Sequence, residues 1–409
     1  MTVAVQPQQR SDGLPVILIV CGCLIALMTF GPRSAMGLFQ IPMLNDTGWD
    51  RSTFGLALAI QNLMWGAGQP FFGALADRRG ALPVLCLSAV LYASGLWIMS
   101  VASAPLWLHV GAGILVGLGI AAGSFSIIMA AFARRVPAER RVIVFGLGTA
   151  AGSAGMLVFP PLSQELISTY GWSDALVMLS VIMLAIPILA LAFRGGPRGQ
   201  AGVGADYEQT VAEALREAMG STSYVLLVSG FFVCGFQVAF ITAHFPSFIV
   251  DEGLPPATGA LALMLIGGFN IIGSLASGVI GQRYSKPIFL ALLYLGRSIL
   301  VTWYLLTPIT ETSTIIFAAL MGLLWLSTVA PTNALVATFF GTRYLGMLGG
   351  IVFFSHQIGS FLGVWLGGVL YDAYGSYDVV WWLGVALGLF AALVHWPIRD
   401  EAVVRAAPA

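Results

Sequence analysis

Long apolar runs separated by short polar connections repeat along the whole chain. A helix needs about 20 apolar residues to cross the hydrocarbon core of a bilayer, and runs of that order recur throughout the sequence. They are residues 14–43, 53–74, 81–101, 105–133, 142–168, 172–193, 222–250, 256–281, 287–307, 313–340, 344–371 and 376–397. The pattern therefore predicts an all-α membrane protein with twelve transmembrane helices, six on each side of a polar interval.

The composition favours the same class. Of the 409 residues, 58% are hydrophobic and only 9% are charged, which is too few charges to cover a soluble protein of this size. The 18 basic side chains balance the 18 acidic ones, so nothing indicates a nucleic-acid partner, and the lipid bilayer is the partner that the composition implies. All four cysteines stand in apolar runs, where they are expected to pack as small hydrophobic residues. We expect no metal and no cofactor.

The polar interval divides the chain into units. The predicted units are a tail at 1–13, an N-terminal bundle at 14–193, a linker at 194–221, a C-terminal bundle at 222–397 and a tail at 398–409. The linker begins rich in glycine and proline and then shows a charged helical pattern. This amphipathic helix either lies on the membrane surface or forms a solvated strut.

The two halves repeat each other weakly. Helices 1 and 7 align at a constant spacing through three pairs, which are Gly31 with Gly235, Arg33 with Gln237 and Pro42 with Pro246. Parallel repeats of this kind predict two pseudo-symmetric six-helix bundles with a substrate site between them.

The positions of the cations predict the orientation. Most lie in the tails, the linker or the even-numbered connections, namely Arg10, Arg78, Arg79, Arg134, Arg135, Arg140, Arg141, Arg194, Arg198, Arg216, Arg283, Lys286, Arg343, Arg399 and Arg405. The odd-numbered connections hold only Arg51. The positive-inside rule then predicts that both termini are cytoplasmic and that the protein is a multi-pass protein of the inner membrane. We expect it to act as a monomer.

Two cations remain inside predicted helices, Arg33 and Arg297. An ionised side chain at bilayer depth costs at least ~2.5 kcal/mol, so it normally faces a polar interior and marks a functional site. Arg33 is therefore the first candidate for binding an anion, and a structural arginine that bonds loop carbonyls is the alternative. Arg297, in helix 9, is expected to be structural and to bond carbonyls or hydroxyls of a neighbouring helix, with a role as a second binding cation as the alternative.

Further polar side chains lie inside the predicted helices. The amides predicted to hydrogen-bond a substrate are Gln61, Asn62, Gln237, Asn270 and Asn333. For Gln61 and Asn62, both in helix 2, holding helices together is the alternative. No carboxylate lies deep in a predicted crossing. His244 and His356 are thus the candidates for carrying a coupled proton, unless they are neutral hydrogen-bonding histidines.

The stretch Gly73-Ala-Leu-Ala-Asp77-Arg78-Arg79-Gly80, between helices 2 and 3, is the most specific motif. It resembles the major facilitator superfamily signature Gly-x-Leu-Ala-Asp-Arg-x-Gly. The resemblance implies a twelve-helix transporter in which this stretch forms a cytoplasmic gate. Gly73 would allow close helix approach, Asp77 would accept from an arginine or a helix N-terminus, and Arg78 would anchor the loop before Gly80.

Several shorter stretches resemble one group within that superfamily, the monocarboxylate porters and oxalate/formate antiporters. They are Gly31-Pro-Arg33-Ser-Ala-Met-Gly37-Leu-Phe39, Gly48-Trp49, Asp50-Arg-Ser-Thr-Phe54, Gln61-Asn62 and Gly66-x-x-Gln69-Pro70. This resemblance implies transport of small organic anions, coupled to protons or to counter-anion exchange. The chain departs from the group in helix 8, where a basic residue is often found and 256–281 has none.

The preferred hypothesis is a secondary active transporter that moves a mono- or dicarboxylate by alternating access. An exporter of hydrophobic drugs or metabolites, with Arg33 structural, is the alternative. A sensor or a membrane enzyme is a third class. It is disfavoured because the chain shows neither a catalytic cluster nor metal-ligand spacing. The sequence also has no phosphate-binding loop for ATP, so ions or a counter-substrate are expected to drive the transport.

Overall fold

The computed structural model describes residues 15–137, 140–195, 210–341 and 344–403, and these residues form helices and connections without a strand. The spanning helices are α1 (Val16–Thr47), α2 (Arg51–Arg79), α3 (Ala81–Ser100), α4 (Pro105–Arg135), α5 (141–170), α6 (172–193), α7 (Thr222–Asp251), α8 (Pro256–Arg283), α9 (Lys286–Leu306), α10 (Glu311–Phe340), α11 (Leu345–Tyr374) and α12 (Asp378–His395). The predicted tail at 1–13 lies outside the described residues, as do Arg10, Arg198, Arg343 and Arg405.

Helices α5 and α6 follow each other without a loop. The helix that begins at Arg141 is interrupted at Gly171, whose backbone has φ 84° and ψ 166°. Arg135, at the end of α4, donates to the carbonyl of Ala192 at 2.9 Å. Since the end of α6 therefore lies beside the region where α5 begins, the chain reverses at Gly171. A positive φ favours glycine at this position.

Within the described residues, ten stretches are long and apolar enough to cross a membrane. One of them contains both α5 and α6, and α2 is not among the ten although it has 29 residues. Gln61, Asn62 and Gln69 lower the hydropathy of α2. Twelve crossings result, as the hydrophobic pattern predicts.

The hydrophobic core is divided in two. One cluster comes almost entirely from residues between 18 and 193, and the other almost entirely from residues between 218 and 398. The helix at Val211–Gly220 precedes α7 and starts with a capping box between Thr210 and Glu213. Residues 205–209 of the predicted linker helix lie outside the described part of the chain.

Two ends of the molecule are distinguished by their connections. We call the end with the α1–α2 and α7–α8 connections the far side, and the end where the chain enters α1 and leaves α12 the terminal side. The halves meet closely toward the far side. A Cβ atom on Gly55 or Gly368 of α2 and α11 would lie within 3.0 Å of a backbone oxygen on the opposite helix.

The halves separate toward the terminal side. A Cβ atom on Gly73 of α2, Gly146 of α5, Gly278 of α8 or Gly350 of α11 would have no atom within 4 Å. Apolar side chains near the same helix ends are exposed, among them Phe71 at 66%. The interface between the halves is thus closed on the far side and open on the terminal side.

Candidate functional site

Arg33 is held by α2. Its Nη2 atom donates to the Asn62 side-chain oxygen at 2.7 Å, and its guanidinium carbon lies 4.7 Å from the centre of the Trp65 ring. Asn62 donates its own amide to the Leu58 carbonyl at 2.8 Å, which turns its oxygen toward Arg33. One turn of α2 thereby supplies both a hydrogen bond and a cation–π contact.

The positive charge of Arg33 has no acidic partner within the described chain. The ion pairs there join Arg51 to Asp251, Arg134 to Asp77 and Lys286 to Asp400. The Nε atom of Arg33 is buried and has no hydrogen-bond partner. A cation that lacks a counter-charge in a low-dielectric environment attracts an anion strongly.

Two more buried donors, one on α2 and one packed against α2, are without partners among the described residues. They are Trp65 Nε1 on α2 and Gln357 Nε2 on α11. Gln357 lies beside α2, because a Cβ atom on Gly66 would be 2.8 Å from its Cγ. Buried polar groups are nearly always hydrogen-bonded, so these unpaired N–H groups from both halves indicate a place for an acceptor-rich ligand. We call Arg33, Asn62, Trp65 and Gln357 the Arg33 site.

Aromatic rings enclose the Arg33 site. The Trp65 ring makes edge contacts with Phe30 at 5.7 Å and with Phe353 at 5.3 Å between centroids. Phe353 in turn stacks on His356 at 5.9 Å. Apolar walls lower the local dielectric and strengthen the interaction of Arg33 with a bound charge.

The two candidate histidines occupy different places. His356 borders the Arg33 site, and its Nδ1 atom lies 3.2 Å from the Gln357 side-chain oxygen. His244 lies toward the far side, where Nδ1 is 3.1 Å from the Tyr377 hydroxyl and Nε2 is 2.8 Å from the Val364 carbonyl. Of the two, only His356 contacts a residue of the Arg33 site, Gln357.

Four of the five predicted amides lie in different surroundings, and only one of these four belongs to the Arg33 site. Gln61 donates to the Ala112 carbonyl at 2.8 Å, and Gln237 donates to the Gly384 carbonyl at 2.9 Å, each within its own half. In this conformation both hold helices together, and neither joins the Arg33 site. This is the alternative role of Gln61, whereas Gln237 is predicted from the sequence only to bind the substrate. Asn62 is the amide that does. The exposed Asn333 lies on α10 near Gly349, whose Cβ position is 3.6 Å from its side-chain oxygen.

The fifth amide, Asn270, and Arg297 meet at a break in α10. This helix is interrupted between Leu324 and Val329. Arg297 Nη2 donates to the Leu324 carbonyl at 2.6 Å and also to the Trp325 carbonyl. Asn270 accepts from the Leu326 N–H at 3.0 Å. Backbone groups freed by a break in a membrane helix need such partners.

Arg297 is therefore occupied inside the C-terminal half. Its side chain is buried, and its Nη1 atom is 3.5 Å from the Gln237 side-chain oxygen. Asn270 also donates to Ser153 of α5 at 3.0 Å, so it joins the two halves at mid-depth. Neither residue contacts Arg33.

A polar cluster closes the far side. Arg51 of α2 donates to both carboxylate oxygens of Asp251 at 2.6 and 2.7 Å and to the Tyr377 hydroxyl at 2.8 Å. Its guanidinium carbon also lies 3.7 Å from the centre of the Tyr371 ring. Asp372 of α11 accepts from the Arg51 N–H at 3.1 Å and from the Ser52 N–H at 2.8 Å, so it caps the positive end of α2.

We call Arg51, Asp251, Asp372 and Tyr377 the far-side latch. Each contact joins α2 of the first half to the second half. No role for these four residues is predicted from the sequence. The available signal is that Arg51 is the single cation in the odd-numbered connections and that Asp251 and Asp372 end helices on the same side.

The profile of the family described as the Major Facilitator Superfamily matches residues 18–364, which is most of the chain. The chain belongs to this superfamily. The uncharacterized MFS-type transporter YcxA of Bacillus subtilis is 26% identical over 384 residues, covering 90% of this chain and 91% of that protein. Monocarboxylate transporter 13 of Rattus norvegicus is 25% identical over 367 residues, covering 86% of this chain and 81% of that protein.

Solved structures agree on the fold. A bacterial homolog of the human lysosomal transporter Spinster, in an inward-facing and occupied conformation, aligns with a TM-score of 0.73 at 14% identity, covering 93% of this chain and 95% of that one. The predicted two-bundle, twelve-helix architecture is confirmed. The protein is a membrane transporter of the Major Facilitator Superfamily and not an enzyme.

The superfamily signature lies at the terminal side, between α2 and α3. Asp77 accepts from Arg134 of α4 at 3.2 Å, and Gly80 has φ 89°, a conformation that favours glycine. Arg78 is exposed. The close helix approach expected at Gly73 is absent in this conformation, because a Cβ atom there would have nothing within 4 Å. The reason is that the halves are apart at this end.

Proposed function

We propose that this transporter carries a small organic anion, a mono- or dicarboxylate, and that Arg33 binds its carboxylate group. The observation that carries the proposal is the Arg33 guanidinium, which has no acidic partner among the described residues, together with the unpaired donors of Trp65 and Gln357. An ionised carboxylate only accepts hydrogen bonds, so it complements a set of unpaired donors. It also forms strong charge-assisted bonds with arginine.

The arrangement of the donors supports alternating access. Trp65 belongs to the first half and Gln357 to the second, so a ligand held by both would join the halves. The interface is closed at the far-side latch and open toward the terminal side. With the orientation predicted by the positive-inside rule, in the inner membrane with both termini cytoplasmic, this conformation opens the site to the cytoplasm.

His356 is the better placed of the two histidines for carrying a coupled proton. It lies against Gln357 and Phe353 of the same helix, which border the Arg33 site. A proton on its imidazole ring would add a second positive charge near the bound anion. Exchange of one anion for another is the alternative form of coupling, and it needs no titrating group. The similarity of this chain to monocarboxylate transporter 13 supports the same substrate class.

The test is uptake of labelled mono- and dicarboxylates into proteoliposomes by the full-length protein and by Arg33→Gln. Loss of one charged hydrogen-bonding partner costs about 1.5–3 kcal/mol, so we expect uptake at low substrate concentration to fall about 10- to 100-fold. The matched control is Arg399→Gln, because the Arg399 side chain is exposed on the terminal side.

Unchanged uptake by Arg33→Gln would remove Arg33 from substrate binding. The aromatic walls of the site leave one rival, an exporter of hydrophobic compounds in which Arg33 is structural. Thermal stabilisation of the protein by lipophilic cations, without stabilisation by carboxylates, would favour that exporter.

A further inference from the structure

A second cavity lies on the terminal side, away from the Arg33 site. Its volume is about 440 Å³, and it lies between the start of α3 and the ends of α4 and α6. Four of its lining residues are arginines, Arg79, Arg134, Arg135 and Arg194, and none is acidic. The superfamily signature explains the Asp77–Arg134 pair but not this concentration of positive charge.

Only part of that charge is compensated. Arg135 donates to carbonyls at the end of α6, including that of Arg194 at 2.6 Å, and Arg134 pairs with the exposed Asp77 at 3.2 Å. Arg79 and Arg194 are exposed and form no ion pair in the described chain. The helix α3 also begins here without a side-chain cap, so its positive end adds to the field.

Exposed apolar residues run from this cavity along the membrane span. Helix α3 exposes Leu87, Val90 and Trp97 at spacings that place them on one face. Helix α6 exposes Val181, Leu184 and Ile188 in the same way. The two helices pack side by side. A basic cavity that continues into two apolar surfaces complements a ligand with an anionic head and hydrocarbon chains.

We propose that this cavity binds the phosphate headgroup of an anionic glycerophospholipid, with the acyl chains along α3 and α6. Arginine suits a phosphate because its planar fork can donate two hydrogen bonds. Basic pockets between membrane helices are sites where anionic headgroups bind. A soluble phosphate would satisfy the arginines but would leave the apolar surfaces unused. The proposal does not depend on the transported substrate.

The experiment measures lipid retained by the purified full-length protein in native mass spectrometry. Phosphatidylglycerol is compared with phosphatidylcholine of the same acyl chains, and glycerol 3-phosphate is added as a soluble competitor. We expect phosphatidylglycerol to bind at least about tenfold more tightly than phosphatidylcholine. The double variant Arg79→Gln/Arg194→Gln should bind phosphatidylglycerol about 30-fold more weakly, since each cation contributes about fivefold.

Two further variants keep the result interpretable. Arg79→Lys/Arg194→Lys retains the charges and should retain most of the binding. Arg283→Gln/Arg399→Gln removes two exposed cations from the other half and should leave binding unchanged. Equal retention of both lipids, or wild-type retention by Arg79→Gln/Arg194→Gln, overturns the proposal. Displacement of the lipid by equimolar glycerol 3-phosphate overturns it as well, because the site would then recognise a soluble anion.

Discussion

Weakening the far-side latch should shift the equilibrium between the conformations that are closed and open on the far side. In the proposed alternating-access cycle, α2 separates from the second half on this side, and the Arg51 side chain makes three hydrogen bonds that oppose the separation. The Arg51→Gln substitution removes the guanidinium and keeps the backbone N–H groups that donate hydrogen bonds to Asp372. The variant should therefore populate the state that is open on the far side more than the wild type does.

The magnitude follows from the geometry of the pair. Arg51 and Asp251 share two charge-assisted hydrogen bonds, and their side chains are only 10% and 27% exposed. Hydrogen bonds to charged groups contribute about 1.5–3 kcal/mol, and the carboxylate of Asp251 regains water when the latch opens. A net loss of about 2 kcal/mol shifts the equilibrium about 30-fold toward the far-side-open state.

The assay uses a buried position beneath the latch. Ser247 is 1% exposed and donates to Gln40 across the two halves at 2.6 Å. We place Ser247→Cys in a background whose four native cysteines are serine, and we measure its rate of labelling by a membrane-impermeant maleimide. If labelling follows opening, the Arg51→Gln variant should label about 30-fold faster.

The control is Lys286→Gln, which breaks an ion pair on the terminal side with similar exposure, 23% and 24%. It should not change the labelling of Ser247→Cys. An unchanged rate in Arg51→Gln refutes the latch. An equal increase in Lys286→Gln also refutes it, because the effect would then reflect general loosening.

Three further predictions concern stability, each measured by thermal unfolding of the purified protein. Arg297→Gln should lower the free energy of unfolding by about 3 kcal/mol, because it leaves the carbonyls at the α10 break without partners. Arg297→Lys should not restore the stability, because lysine lacks the planar guanidinium that donates to both carbonyls. Gly235→Ala should cost about 2 kcal/mol, since its Cβ would overlap the His356 carbonyl, whereas Gly278→Ala has open space and should be neutral. Burial, then the neighbouring Asp378 and Asp251, raises the pKa of Glu252, so its ionised form destabilises the fold as pH rises. Glu252→Gln should therefore be more stable than wild type at about pH 8 and equal to it at about pH 4, below the unfolded pKa.

Hydrophobic periodicity predicted the fold closely because membrane helices must satisfy their own backbone groups within each crossing. The turn between α5 and α6 illustrates this. The break between the apolar runs at 168 and 172 falls at Gly171, the residue where the chain reverses. The interruption of α10 at 325–328 is harder to predict from the sequence. The side chains that bond its freed backbone groups come from α8 and α9, and no pattern within α10 indicates them.

The site could be predicted only in part. Arg33 and Asn62 were candidates because a charge and an amide are costly in lipid. The same argument also selects Gln61 and Gln237, and it cannot distinguish these two from the residues of the site. The reason is that an amide can donate its hydrogen bond equally well to a carbonyl of a neighbouring helix or to a ligand. Which carbonyl lies within reach depends on helix rotation and packing. The sequence marks Gln357 as one of the polar residues of helix 11 and assigns it no role, because nothing in the sequence shows that its Nε2 atom lacks a partner among the described residues.

Arg33 and Arg297 show how identical side chains in apolar helices differ in their partners. The fork of Arg297 is filled by carbonyls that the break in α10 releases, so its charge is already used inside one half. Arg33 has one amide oxygen, one aromatic face and a free Nε, so its charge remains available. A substrate anion would consequently be held mainly by the first half. Movement of α11 would then change the hydrogen bond from Gln357 to the anion, while the ionic contact between Arg33 and the anion stays in place. The site could thus open and close without loss of the contact that retains the substrate.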